Sequence, residues 1–212
     1  MLRKDIKKLY KDIELEYYDT FDKGHDKKHL KEVYDNTEKL CKMVGLNERE
    51  TCVALIAAMY HDSGISRGRL YHNIHSYNIV MEDPRLKELL TEKEIKTVAY
   101  ACRYHRSRYK EKHKCLISKI VADADNIAPI ERHIERSIYF TIAHDGWFQL
   151  HSNVLNHLRN KFGRNGYAKL LLKESNNLST IERNYDILDN IDEFDKIYYK
   201  VENIIRKKEI GD

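Results

Sequence analysis

The chain has 212 residues, enough to bury a sizeable core without disulfide staples. Its 38 basic and 34 acidic side chains nearly cancel to a formal charge of +4 and are interspersed along the chain, which speaks against a nucleic-acid-binding protein; no run approaches the roughly eighteen uncharged apolar residues of a membrane span. The amino-terminal MLRKDIKKLYKDIELEYY has no apolar signal core, and the four cysteines, Cys41, Cys52, Cys102 and Cys115, show no CxxC spacing, so a reducing, cytoplasmic setting and no membrane partner are expected.

Eight glycines and two prolines, with no alternating strand pattern, predict an all-α fold. The first element is an amphipathic helix from Leu2 to about Tyr18, with Leu2, Ile6, Leu9, Tyr10, Ile13 and Tyr17 on one face. A second helix runs from Asp26 to Val44 and is closed by Gly45. Asn47 followed by Glu50 has the spacing of a capping box and starts a helix through TCVALIAAMY, after which Gly64 permits a turn. His72 to Glu82 is a short helix stopped by Pro84, and Thr91 with Glu94 opens another that reaches about His105. A helix carrying LISKIVADADNI is interrupted by Pro129 and resumes in IERHIERSIYFTIAH. From Trp147 onward two or three further helices are expected, the last with apolar positions at Ile181, Tyr185, Leu188, Phe194, Ile197, Tyr198, Val201, Ile204 and Ile205. No linker, repeat or low-complexity tract divides the chain, so one domain over residues 1–212 is expected.

Three of these helices carry ionisable groups in apolar surroundings. His25 and His29 stand four apart in GHDKKHLKEVYDNTEKL, His61-Asp62 ends the apolar AAMY helix, and Asp123 and Asp125 interrupt IVADADNI. Histidine and aspartate are seldom buried unless paired or liganded, so one shared cation is expected. Asp123 and Asp125 are two apart on a helix and cannot both face it.

This H...HD...D arrangement resembles the HD-domain superfamily of metal-dependent phosphohydrolases. The resemblance spans roughly His25 to Ile130 and implies a helical bundle with an HD core at about 20–145, additional amino-terminal helix, and a carboxy-terminal helical extension at about 147–210. It makes His29 the first metal ligand, His61 and Asp62 the doublet, and Asp125 the last ligand, because ADNI matches the family's closing phrase. In dinuclear members a further histidine follows the doublet and another comes later; HNIHS places His72 in the first role and RYHRS places His105 in the second. The position of His25 is a further ligand in some trinuclear members. The GYP phrase of the cyclic-dinucleotide phosphodiesterases is missing, and YHRS has one histidine where they have two, so that activity is not implied.

Imidazole and carboxylate ligands suit one or two divalent transition ions, Mn, Fe, Ni, Co or Zn, with Mg as a further candidate. Such a pair activates water and stabilises charge on a phosphoryl group, which gives Asp62, His61 and His105 catalytic as well as ligand roles. Arg69, Arg103, Arg106 and Arg108 flank His72 and His105, and guanidinium forks match phosphate oxygens; Arg69, Arg106, Arg108 and His25 are therefore the substrate-binding candidates. The reaction expected is hydrolysis of a phosphoester or phosphoanhydride bond in a small phosphorylated metabolite, a nucleotide above all. The same six ligands also resemble those of HD-type di-iron oxygenases, and a non-catalytic nucleotide-binding module is the third reading. The apolar faces of the first and last helices suit either the core or a second copy of the chain. A second doublet, His144-Asp145, has no HxxxH pair before it and no Asp-rich helix after it, and reads as a helix carboxy terminus with a histidine near the dipole.

Overall fold

The structure, a computed structural model, describes residues 2–106, 113 and 115–210. Among them all regular elements are helical, and no helix is long and apolar enough to cross a membrane. The chain forms two compact units, one of Met1–Ile127 with Leu170–Ser175 and one of Ala128–Lys169 with Asn176–Asp212. The division lies at Ile127 and Ala128, whereas the sequence places the start of an extension at Trp147.

In the first unit the central element is α3, Glu48–Tyr60, whose residues Thr51 to Tyr60 are all buried. A helix apolar on every side has no solvent face to offer and is enclosed by others. Around it pack α1 (Leu2–Ile13), α2 (Lys27–Met43), α6 (Glu92–Tyr104) and α7 (Leu116–Asn126). Two capping boxes start helices as their spacing requires, Asn47 with Glu50 for α3 and Thr91 with Glu94 for α6. Helix α4, His72–Glu82, lies against α6 and against a short 3-10 turn, Ser63–Arg67.

Two local features differ from the expected elements. Helix α1 ends at Ile13 and continues as one π-helical turn, Glu14–Tyr18, which carries the buried Tyr18 hydroxyl to the carbonyl of Met59 at 2.9 Å. After α4 the chain opens an additional helix, α5 (Pro84–Leu89), because Asp83 accepts the N–H of Arg85 and proline fits the first helical position.

The second unit holds α8 (Ile130–Asp145), α9 (Leu150–Phe162), α11 (Ser179–Asp189) and α12 (Ile191–Ile210); α10 is the four-residue turn Lys173–Asn176. Its core is Ile130, Ile134, Ile138, Val154, Leu158, Leu188, Phe194 and Tyr198. The single long terminal helix expected from the apolar spacing is two, because the Asn190 side chain accepts the N–H groups of Asp192 and Glu193 and so caps a new start.

Candidate metal centre

The centre is built where α3 stops. A helix leaves its last four carbonyls without backbone donors. Here side chains supply them: His61 Nδ1–H donates to Ala58 at 2.7 Å, Tyr18 to Met59, Ser63 to Tyr60 at 2.8 Å and Ser76 to His61 at 2.8 Å. With those carbonyls satisfied the chain turns at Asp62, whose carboxylate comes within 3.1 Å of His61 Nε2. Gly64 then passes so close to α4 that an added Cβ would meet the backbone of His72 and Ser76.

Two clusters result, His29 with His61 and Asp125, and Asp62 with His72 and His105; within each, one ligand atom from every residue lies within 4.8 Å of the others. Asp62 joins them. Its Oδ2 is 3.1 Å from His61 Nε2 and 3.5 Å from His29 Nε2, while its Oδ1 is 3.2 Å from His72 Nε2 and 3.4 Å from His105 Nε2. Asp125 Oδ1 completes the first cluster at 3.1 Å from His29 Nε2. Four of the six residues are almost wholly buried, and Asp125 is the most exposed.

The backbone sets the histidine tautomers. A carbonyl only accepts, so Nδ1 carries the proton where His61 meets Ala58, where His72 meets Arg69 at 2.8 Å, and where His105 meets Cys102 at 2.7 Å. Each Nε2 is then left with its lone pair facing inward. Across the first cluster His61 and His29 bring their Nε2 atoms to 3.3 Å, and across the second His72 and His105 bring theirs to 3.2 Å. Imidazole Nε2 atoms and carboxylate oxygens converge there out of solvent, an arrangement that a divalent cation satisfies once the protons these groups share are displaced.

The electrostatics agree. Burial opposes ionisation of Asp62, yet the imidazoles of His61, His105 and His29 hold its carboxyl well below the usual range. For His61 burial opposes the charged form, and the Asp62 and Asp125 carboxylates outweigh it, raising the imidazole to about 9. Burial lowers His105. The pocket favours positive charge, which cations supply by displacing protons.

Other residues expected at the site fall differently. Asp123 points away from the clusters and accepts the N–H groups of Leu171 and Leu172 at 2.8 and 2.9 Å. His25 sets its ring against His29, with centroids 5.9 Å apart, and its Nδ1 is 3.0 Å from Asp22 Oδ1. Asp22 also pairs with Arg69, which joins both rim candidates to one carboxylate. Arg106 donates to the Leu70 carbonyl at 3.0 Å, and Arg103 lies over the rings of Tyr77 and Tyr104. Arg108 is outside the described residues. The doublet His144-Asp145 ends α8 exposed, with His144 Nδ1–H on the Phe140 carbonyl.

The residues that support the ligands, Ser76, Tyr18, Asp22 and Asn36, lie outside the H...HD...D pattern. Asn36 donates to the carbonyls of Ala124 and Ile127 at 3.1 and 2.7 Å and so fixes the end of α7 that presents Asp125. Two of them carry a signal at helical spacing, since Ser76 follows His72 by four residues and Asn36 follows His29 by seven.

An all-helical core that gathers histidines and aspartates from separate helices, most of them buried, defines a helical domain with two groups of residues that could hold a metal. Residues 27–130 match the family model described as the HD domain, and the chain carries an HD domain over that stretch. HD domains bind divalent metals and form a superfamily of the metal-dependent hydrolase type. No curated protein and no solved structure matches the chain.

Proposed function

We propose that the chain is a metal-dependent phosphohydrolase that cleaves a phosphoester or phosphoanhydride bond in a small phosphorylated metabolite, in the first instance a nucleotide. The observation that carries this reading is Asp62, one oxygen turned to each cluster of buried imidazoles. His29, His61 and Asp125 would hold one divalent ion and His72 and His105 a second, with Asp62 reaching both groups, and the ions would supply activation of water and neutralisation of phosphoryl charge. Mn, Fe, Ni, Co, Zn and Mg are the candidates.

The chain's own groups at the rim support an anionic substrate with an apolar portion. Arg69 and Arg106 gather at the loop that leads into His72, where guanidinium groups can bind phosphate oxygens. In the same loop Leu70 and Tyr71 are 70% and 58% exposed, an apolar and aromatic edge that suits a nucleobase.

The test is phosphate release from nucleotides, sugar phosphates and pyrophosphate-containing metabolites by protein supplied with Mn, Co, Ni or Mg, beside an Asp62→Ala variant, with metal content measured for both. Metal-dependent turnover that disappears in the variant is expected. Bound iron pairs with oxygen uptake and no phosphate release would favour the oxygenase reading; nucleotide binding without any turnover would favour the non-catalytic module.

A further inference from the structure

Both clusters depend on one turn, and that turn is held by a residue that contributes no ligand atom to either. Ser76, fully buried on α4, donates its hydroxyl proton to the His61 carbonyl at 2.8 Å and accepts the Gly64 N–H at 2.9 Å. His72 stands one turn earlier on the same helix. Opposite Ser76 the two backbones touch: a Cβ on Gly64 would lie 2.1 Å from the His72 carbonyl oxygen and 2.3 Å from the Ser76 nitrogen.

We infer that Ser76 is a positioning residue that keeps the two cation sites in register. The inference rests on the two-site reading proposed above. Its hydroxyl ties the backbone of His61, which belongs to the first cluster, to the helix that presents His72 to the second. Asp62 lies between these anchors and serves both sides only while their spacing holds. Without the hydroxyl, a buried carbonyl and a buried N–H lose their partner together, and separation of α4 from the turn is the direct way to hydrate them. His61 stays, because Ala58 within α3 holds its imidazole; His72 moves with α4. The first site is therefore retained and the second weakened.

Metal-stripped wild type and Ser76→Ala are titrated with Co(II), following heat and visible absorption. Two uptake steps are expected for the wild type. In the variant one step is unchanged and the other is weakened about tenfold or more, the usual scale for loss of a group that orients a ligand. Two unchanged steps in the variant overturn the inference, and so does equal weakening of both, which marks a general loosening. A wild type that binds one ion or none overturns the two-site reading itself, a result visible before any variant is compared. If the alanine variant lacks the wild-type helical circular dichroism, Ser76→Cys, which keeps the side-chain shape with a larger, more weakly donating sulfur, is titrated with the same readings.

Discussion

At the scale of single residues, two aspartates two positions apart have opposite tasks. Asp125 faces His29, while Asp123 spends both oxygens on the backbone of Leu171 and Leu172. Asp125→Ala is expected to lower metal content with little change in the stability of the metal-free protein. Asp123→Ala should leave metal content intact and cost about 1–3 kcal/mol, because two N–H groups lose their acceptor. Chemical denaturation and metal analysis on the same samples separate the two. Tyr71 gives a test of substrate class: if a base rests on its exposed ring, Tyr71→Ala raises KM for nucleotides about tenfold and leaves sugar phosphates unaffected, a stacked base being worth about 1–3 kcal/mol. An equal change for both kinds of substrate would remove the base from that position.

At the scale of elements, helix starts were legible and some helix ends were not. Each capping box is a contact between residues three apart, so the sequence carries the whole interaction. Asn47→Ala should cost about 1 kcal/mol and lower the thermal midpoint. The π-helical turn at Glu14–Tyr18 is different: the apolar spacing runs through it, and the contact that goes with it, Tyr18 on Met59, spans 41 residues; at Asn190 the cap is local, but the apolar spacing that continues past it masks the break. Gly64 belongs to the same category. The sequence says that a glycine permits a turn there, whereas the structure assigns it a second reason, the approach of α4. Gly64→Ala should destabilise the protein by about 1–3 kcal/mol, read from denaturant midpoints, by forcing the turn and α4 apart.

At the scale of the whole molecule, the acidic limit of stability follows from paired carboxylates. Arg49 hydrogen-bonds Glu94 through both oxygens and holds it at about 2, and Asp83 is lowered as well, where Arg85 and Tyr60 overcome the effect of burial. A folded-state value below the unfolded one stabilises the native state above the unfolded value and loses that contribution as pH falls. For Glu94 the window runs from about 4.5 down to about 2. Stability of the metal-free protein should therefore decline across that range. Arg49→Ala should shallow the decline by less than about 1 kcal/mol, as befits a solvent-exposed pair. Denaturation midpoints at pH 6, 4.5 and 3 for both proteins give the comparison, and parallel curves would exclude a role for the pair.

The sequence by itself determined that the chain is helical, where most helices begin, and which histidines and aspartates stand in apolar surroundings, because all of these are written in local spacing: i, i+3 caps, i, i+4 faces and the rarity of ionisable groups among aliphatic ones. It also gave the resemblance that the match over residues 27–130 establishes as an HD domain. Tertiary structure decided what each of those groups faces. That Asp62 reaches both His29 and His72, that Asp123 turns to Leu171 and Leu172, that Asp22 takes Arg69, and that Ser76 fastens α4 to the end of α3 all depend on atoms distant in sequence meeting at about 3 Å, the reach of a hydrogen bond. Local spacing fixes a side chain's face on its own helix; only packing fixes what lies opposite.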